Sequence, residues 1–290
     1  MCVPIAIKLC RSNKTVMRDP NNSGLVPMSK VHWRGGFLAL LCIVCGLSLH
    51  GSSLNQQWLI WGHRNSWFSD QFWLFVTQWG DAAQALLMLL ALFMLQPVKL
   101  AWIFKTWLMG VMASPLLKAV WDVPRPLYVL DPQWLHTIGL TPVGGHSMPS
   151  GHSLAAGSMA TLLFFSLDHE RVSWRGVVVL GGLIAVSRLA VGAHWPADVL
   201  VGLGLGLLLV LCAQVWEQLQ PWAQHLASDR AQRLMLALML LLLYVVWRPP
   251  SEGWGMDGAR WVITLGVLAA LARYRSNKRM GQRLKGGWNG

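Results

Sequence analysis

The chain has 290 residues, 54% hydrophobic and only 12% charged, about half the charged share of a soluble domain. Apolar stretches near the length of a bilayer-crossing helix recur along it, so a soluble globular enzyme is excluded and an all-α, polytopic membrane helical bundle is predicted. The formal net charge of +12 would suggest nucleic acid in a soluble protein. No basic stretch here is interleaved with polar or aromatic residues in a soluble module, so no nucleic-acid partner is expected.

Residues 1–34 are polar and basic, with a loop signal at Asp19-Pro20-Asn21-Asn22-Ser23-Gly24. They lack the basic, apolar, small-residue order of a signal peptide. Met28-Ser29-Lys30 directly precedes the first span, which would make 1–27 a dispensable extension or a mis-chosen start. Eight spans are predicted, at 36–54, 78–96, 98–117, 152–167, 174–192, 197–215, 232–247 and 260–274. Several fall short of the roughly 20 residues of a full crossing, so their ends should run on into interfacial or site-forming structure. The stretch 58–79 carries five Trp and reads as a helix lying on the membrane interface; the 18 Trp of the whole chain suit the same boundary. Cys42-Ile-Val-Cys45 has redox spacing but lies inside an apolar helix with no strand beside it. These Cys count as small apolar residues, and no disulfide framework is implied.

Four segments result: a basic cytoplasmic N-terminal segment at 1–35, a membrane core at 36–215, an additional transmembrane helix pair at 216–274 and a basic cytoplasmic tail at 275–290. With the N-terminus in the cytoplasm, the outer side holds only Arg64, Lys118, Arg125, Arg188, Arg248 and Arg260, and the other 18 of the 24 Lys and Arg fall inside. That is the positive-inside pattern.

Three short segments fall on the outer ends of these spans. Lys118-Ala-Val-Trp-Asp-Val-Pro-Arg125-Pro126 closes the third span. Lys118 and Arg125 are two helical turns apart, and Pro124 and Pro126 break the helix around Arg125. Arg offers a planar fork to phosphate oxygens and Lys a point charge. Asp122 is a candidate ion-pair partner for Lys118. Pro149-Ser150-Gly151-His152 opens the fourth span, with Ser150 as N-cap and Gly151 permitting close backbone approach. A helix start presents free amides to an anion, and His152 stands where it can protonate a leaving oxygen. The third segment is Ser187-Arg188-Leu-Ala-Val-Gly-Ala-His194-Trp-Pro-Ala-Asp198. His194 and Asp198 are four apart, so a carboxylate can hold one imidazole nitrogen while the other is free to attack phosphorus. Arg188 would neutralise the charge that develops. A His–Asp pair inside a membrane also serves as a proton relay or a structural hydrogen bond.

In this order the three segments resemble the type 2 phosphatidic acid phosphatases, which share their site with the vanadium haloperoxidases. The likeness covers about residues 37–215, a six-helix core. It implies His194 as nucleophile, Asp198 as its orienting partner and His152 as general acid. Lys118, Arg125, Ser150, Gly151 and Arg188 would hold the phosphate, with no metal and no other cofactor. The last two spans and the long 127–148 loop, with His136 and His146 read as surface residues, go beyond a minimal member.

The expectation is an integral membrane lipid phosphatase of a bacterial inner membrane, its site facing the periplasm. It would act on a lipid phosphomonoester or terminal diphosphate, with undecaprenyl diphosphate, phosphatidic acid and phosphatidylglycerol phosphate as candidates. The lipid tail would enter laterally from the bilayer. A phosphotransferase that passes the phosphoryl group to another lipid, such as lipid A, keeps the same covalent step. A transporter of phosphate or anionic lipid is the alternative from another class, though the repeated halves and broken helices of such proteins are not evident.

Overall fold

The computed structural model describes residues 30–65, 68–135, 137–139, 144–167 and 174–286. Residues 1–29, His136 and residues 287–290 lie outside the described residues, and with them much of the predicted N-terminal segment. The described residues form helices joined by short turns and contain no β-strand. In chain order these are α1 (Lys30–Leu49), α2 (Ser53–Arg64), α3 (Asp70–Gln78), α4 (Ala82–Phe93), α5 (Pro97–Trp121), α6 (Pro126–Val129), α7 (Gly151–Ser166), α8 (Trp174–Ala190), α9 (Pro196–Leu219), α10 (Ala223–Leu226), α11 (Asp229–Trp247) and α12 (Trp254–Gly286).

Each of the eight predicted spans corresponds to a helix. Five are long and apolar enough to cross a membrane, and a sixth is gained if α3 and α4, bent by 58° at their junction, form one broken span. Two predicted spans are shorter than expected: 78–96 becomes the 12-residue α4, and the apolar part of α8 is Val178–Ala190. α7 keeps the 16 residues of its predicted span, short of a full crossing. The reason is visible in α7, which is buried on nearly every side. Its approach, residues 144–150, is irregular backbone; residues 147–150 of it are buried, which is where non-helical chain is tolerated at membrane depth.

The stretch 58–79 departs from its reading as one interfacial helix. It is divided between α2, with Trp58 and Trp61 exposed, and α3, which buries Trp73, Leu74, Val76 and Thr77. α3 packs on α8 and α12. The α3–α4 corner is held close by Gly80, where a Cβ would come within 2.8 Å of Ile184 and 3.1 Å of His152. A Trp-rich composition reads the same whether the partner surface is lipid or another helix.

α9 is the centre of the bundle, packed on α1, α5, α7, α8 and α2. Small residues let helices approach closely in a membrane. On α9, Gly202 and Gly206 face α7, where a Cβ would lie 2.5 Å from the Ser150 carbonyl oxygen and 2.2 Å from that of Leu154. At the far end of the bundle Lys105, fully buried on α5, meets Glu217 of α9 at 2.6 Å and the Gln220 carbonyl at 2.6 Å. Glu217 also accepts the amides of Trp222 and Ala223 at 2.9 and 3.0 Å, so this buried pair is fully engaged.

The final helix pair docks on α3 and α4. Gln71 of α3 donates to the Glu252 carbonyl at 3.0 Å and accepts the Gly255 amide at 2.9 Å. Gly255 has no room for a side chain, since a Cβ would fall 1.9 Å from the Gln71 carbonyl oxygen.

Candidate active site

The C-terminal ends of α5 and α8, the N-terminal ends of α7 and α9 and the loop 144–150 meet at one end of the bundle. Asp198 is the acid of the first turn of α9. Its Oδ2 accepts the Trp195 amide at 2.9 Å, capping the helix behind Pro196. The same oxygen lies 3.3 Å from His194 Nδ1. Both residues are buried, Asp198 completely. The N-terminus of α7 is tied to this turn, because the Ser150 amide donates to the Asp198 carbonyl at 3.0 Å.

α5 ends where Asp122 takes a left-handed conformation (φ 46°) and its amide donates to the Lys118 carbonyl. The following chain pairs with the loop: Ser147 N donates to the Val123 carbonyl at 2.7 Å and Arg125 N to that of Gly145 at 3.1 Å. This turns Arg125 inward. Its Nε donates to the Gly144 carbonyl at 3.0 Å and one terminal nitrogen to the Ala193 carbonyl at 3.2 Å. That nitrogen is also 3.3 Å from His194 Nε2. The His194 ring therefore has a carboxylate on its Nδ1 side and a guanidinium on its Nε2 side. Lys118 donates to the His146 carbonyl at 3.2 Å. Asp122 is not its partner: the carboxylate swings out with the left-handed turn and pairs with His146 Nδ1 at 2.8 Å, both side chains well exposed. His146 is thus a surface residue, as read.

Arg188 reaches back from the last turn of α8 and donates to Thr77 Oγ1 at the end of α3. It lines a cavity of about 310 Å³ together with His152, Thr77, Asp81 and residues of α11 and α12. A second cavity, of about 350 Å³, lies between α4, α5 and α7. It is lined by Trp107, Val111, Pro115 and Leu154 and reaches Gly151, His152 and Asp81. His152 therefore stands where the two cavities meet.

Burial, and then the positive charges of Arg188, Arg125 and Lys118, hold the pKa of His194 well below the ordinary histidine value of 6.5. The ring is neutral at physiological pH, with a lone pair available on the nitrogen that faces the cations.

All eight predicted residues are gathered at this end, with one qualification. The Ser150 hydroxyl is occupied within α7, accepting the Ser153 amide at 3.3 Å and the Ser153 hydroxyl at 3.0 Å, and its own amide is used by Asp198. What the turn can offer an anion is the amides of Gly151 and His152, which have no intrahelical acceptor. Two polar residues were not read from the sequence. Ser147 donates to Asp198 Oδ2 and lies 3.2 Å from His194 Nδ1, and Thr77 holds Arg188. Among the described residues, no group of three or more His, Cys, Asp or Glu is placed to hold a metal ion.

Three comparisons bear on this arrangement. Lipid A 1-phosphatase of Rhizobium etli is 31% identical over 110 residues, 37% of this chain and 45% of that protein. Undecaprenyl-diphosphatase BcrC of Bacillus subtilis is 27% identical over 151 residues, 51% of this chain and 74% of that protein. Phosphatidylglycerophosphatase B of Bacillus subtilis is 26% identical over 116 residues, 36% of this chain and 57% of that protein. The chain thus spans between about half and three quarters of the length of these relatives. A crystal structure of a transmembrane PAP2 type phosphatidylglycerolphosphate phosphatase from Bacillus subtilis superposes with a TM-score of 0.49 at 19% identity, covering 66% of this chain and 98% of that one. Residues 99–222, the stretch that carries all three motifs, match the PAP2 superfamily.

Proposed function

We propose that the protein is a metal-independent lipid phosphate phosphatase working through a phosphohistidine, with its site on the periplasmic side of a bacterial inner membrane. The observation that carries this reading is the environment of His194: Asp198 Oδ2 at 3.3 Å from Nδ1, and Arg125 at 3.3 Å from Nε2. Asp198 fixes the tautomer with the proton on Nδ1. Nε2 attacks phosphorus, and the bond from phosphorus to the leaving oxygen breaks. His152 gives its proton to that oxygen. Water then attacks the phosphohistidine, its proton passes to His152, and inorganic phosphate leaves. Lys118, Arg125, Arg188 and the amides of Gly151 and His152 stabilise the equatorial oxygens where a metal enzyme would use a cation.

Undecaprenyl diphosphate, phosphatidic acid and phosphatidylglycerol phosphate are the candidate substrates, in keeping with the names of the relatives. The cavity between α4, α5 and α7 has the apolar walls that a lipid tail entering from the bilayer would need. The purified full-length protein in detergent, with a chelator present throughout, should release phosphate from at least one of these lipids. The His194→Ala variant should lose activity by several orders of magnitude, as expected for loss of a covalent step. Release that depends on added magnesium, or near-normal turnover by His194→Ala, would overturn the mechanism.

A further inference from the structure

Four residues that line one cavity each carry a buried side-chain atom without a hydrogen-bond partner among the described residues: Arg188 Nε, Arg260 Nε, Gln84 Oε1 and Glu252 Oε2. It is the cavity of about 310 Å³ that Arg188 and His152 share with the reaction site. Unpartnered buried polar atoms are few in a folded protein, so their collection around a single space indicates an occupant.

The chemistry of the wall restricts that occupant. Two of the four atoms are donors and two are acceptors. Arg188 and Arg260 are balanced by Asp81 and Glu252, which line the same space. A second phosphate would meet two carboxylates there. An apolar chain would leave all four polar atoms unsatisfied. Hydroxyl groups, which both donate and accept, satisfy the donors and the acceptors alike.

Three of these groups come from outside the PAP2-matching segment 99–222: Gln84 on α4, Glu252 at the α11–α12 turn and Arg260 on α12. Arg260 is 2% exposed. One terminal nitrogen donates to the Pro249 carbonyl at 2.9 Å and the other to Asp257 at 3.4 Å, which fixes the side chain and leaves Nε without a partner. Glu252 is held by the bond from Gln71 to its carbonyl.

We propose that this cavity seats the group that joins the reacting phosphate to its lipid, that this group is an uncharged polyol or sugar, and that Glu252 and Arg260 select it. The assignment rests on the phosphatase reading, since it identifies the leaving group as the cavity's occupant. It also gives the final helix pair a role in specificity.

The test compares an acylated glucose 1-phosphate with a plain alkyl monophosphate of similar chain length, using full-length protein in detergent. The wild type should favour the sugar phosphate by at least tenfold in kcat/KM. Glu252→Gln, which is nearly isosteric, and Arg260→Lys should each lower that ratio at least fivefold. A ratio unchanged in both variants, or activity on the two lipids falling in step, overturns the assignment. Thermal stabilisation by free glucose 1-phosphate reads the seat without turnover: it should be weaker in both variants, and equal shifts in all three proteins overturn the proposal. Failure of the phosphatase reading looks different, as absence of phosphate release from either lipid or undiminished release by His194→Ala.

Discussion

In the proposed reaction His194 attacks as the neutral imidazole, and its surroundings favour that form. Burial, with Arg188, Arg125 and Lys118 nearby, holds its pKa well below 6.5. Protonation therefore sets in only at lower pH than for an ordinary histidine. The acid limb that His194 contributes to the free-enzyme profile of kcat/KM should lie below pH 6.5. An acid limb at or above 6.5 would show that the cations do not act on this ring. Ser147 is a positioning residue in the same cluster. Asp198 Oδ2 takes the Ser147 hydroxyl and the Trp195 amide and also faces His194. Removing the hydroxyl leaves the carboxylate with one fewer anchor and frees the imidazole to shift. Ser147→Ala should lower kcat about tenfold, about 1.4 kcal/mol of transition-state stabilisation, with KM nearly unchanged because the hydroxyl does not touch substrate. A rise in KM equal to the fall in kcat would instead place Ser147 against the phosphate. No spacing rule marks Ser147 in the sequence. Its role arises only because the loop pairs with the chain after α5, through Ser147 N and the Val123 carbonyl. His194 and Asp198 were legible because helical periodicity alone brings residues four apart onto one face.

At the scale of elements, the site depends on how closely α7 and α9 pack. Gly202 has the Ser150 carbonyl 2.5 Å and the Ser153 Cβ 3.0 Å from where its own Cβ would stand. Ser150 is at once the cap of α7 and the residue whose amide ties that helix to Asp198. A methyl group there must push the two helix starts apart. Gly202→Ala should cost about 1–3 kcal/mol, as overpacking does, and should reduce kcat/KM at least tenfold. Gly266 of α12, with nothing within 4 Å of a Cβ, is the control: Gly266→Ala should be neutral or slightly stabilising, since Ala is the better helix former. Thermal melting in detergent alongside turnover separates the two, and a Gly202→Ala protein as stable and active as wild type would remove the argument. The long helices were legible from apolar run length. The α3–α4 bend was not: its local signals, Gly80 and the α4 N-cap Asp81, lie inside the predicted 78–96 span, and the corner is held by tertiary contact at Gly80. The role of α11 and α12 was equally hidden. Their apolar faces give no sign that Glu252 and Arg260 reach a cavity shared with Arg188.

For the whole molecule, the question is which side of the membrane the site faces. α5 and α8 end at the site while α7 and α9 begin there, as an alternating bundle requires. α12 begins beside α3 on this same face, through Gln71 and Gly255. All six Lys and Arg assigned to the outer side are therefore near this end, and four of them have a use there. Lys118, Arg125 and Arg188 surround His194, and Arg260 lines the adjoining cavity. Arg64 and Arg248 remain, against the 18 Lys and Arg that the sequence topology assigns to the other side. Charges retained for a ligand say nothing of orientation, so the bias that sets topology is steeper than the raw tally. The tail with Arg273, Arg275, Lys278, Arg279, Arg283 and Lys285 would then lie in the cytoplasm, drawn to anionic inner-leaflet lipid. Reporters fused after residue 285 and within the 127–148 loop should be active only in the cytoplasm and only in the periplasm, respectively. A cytoplasm-active reporter in the loop, or a periplasm-active one at the tail, would invert the bundle. The enzyme would then draw on lipids of the inner leaflet, and recycling of a carrier lipid exposed outside would no longer be open to it.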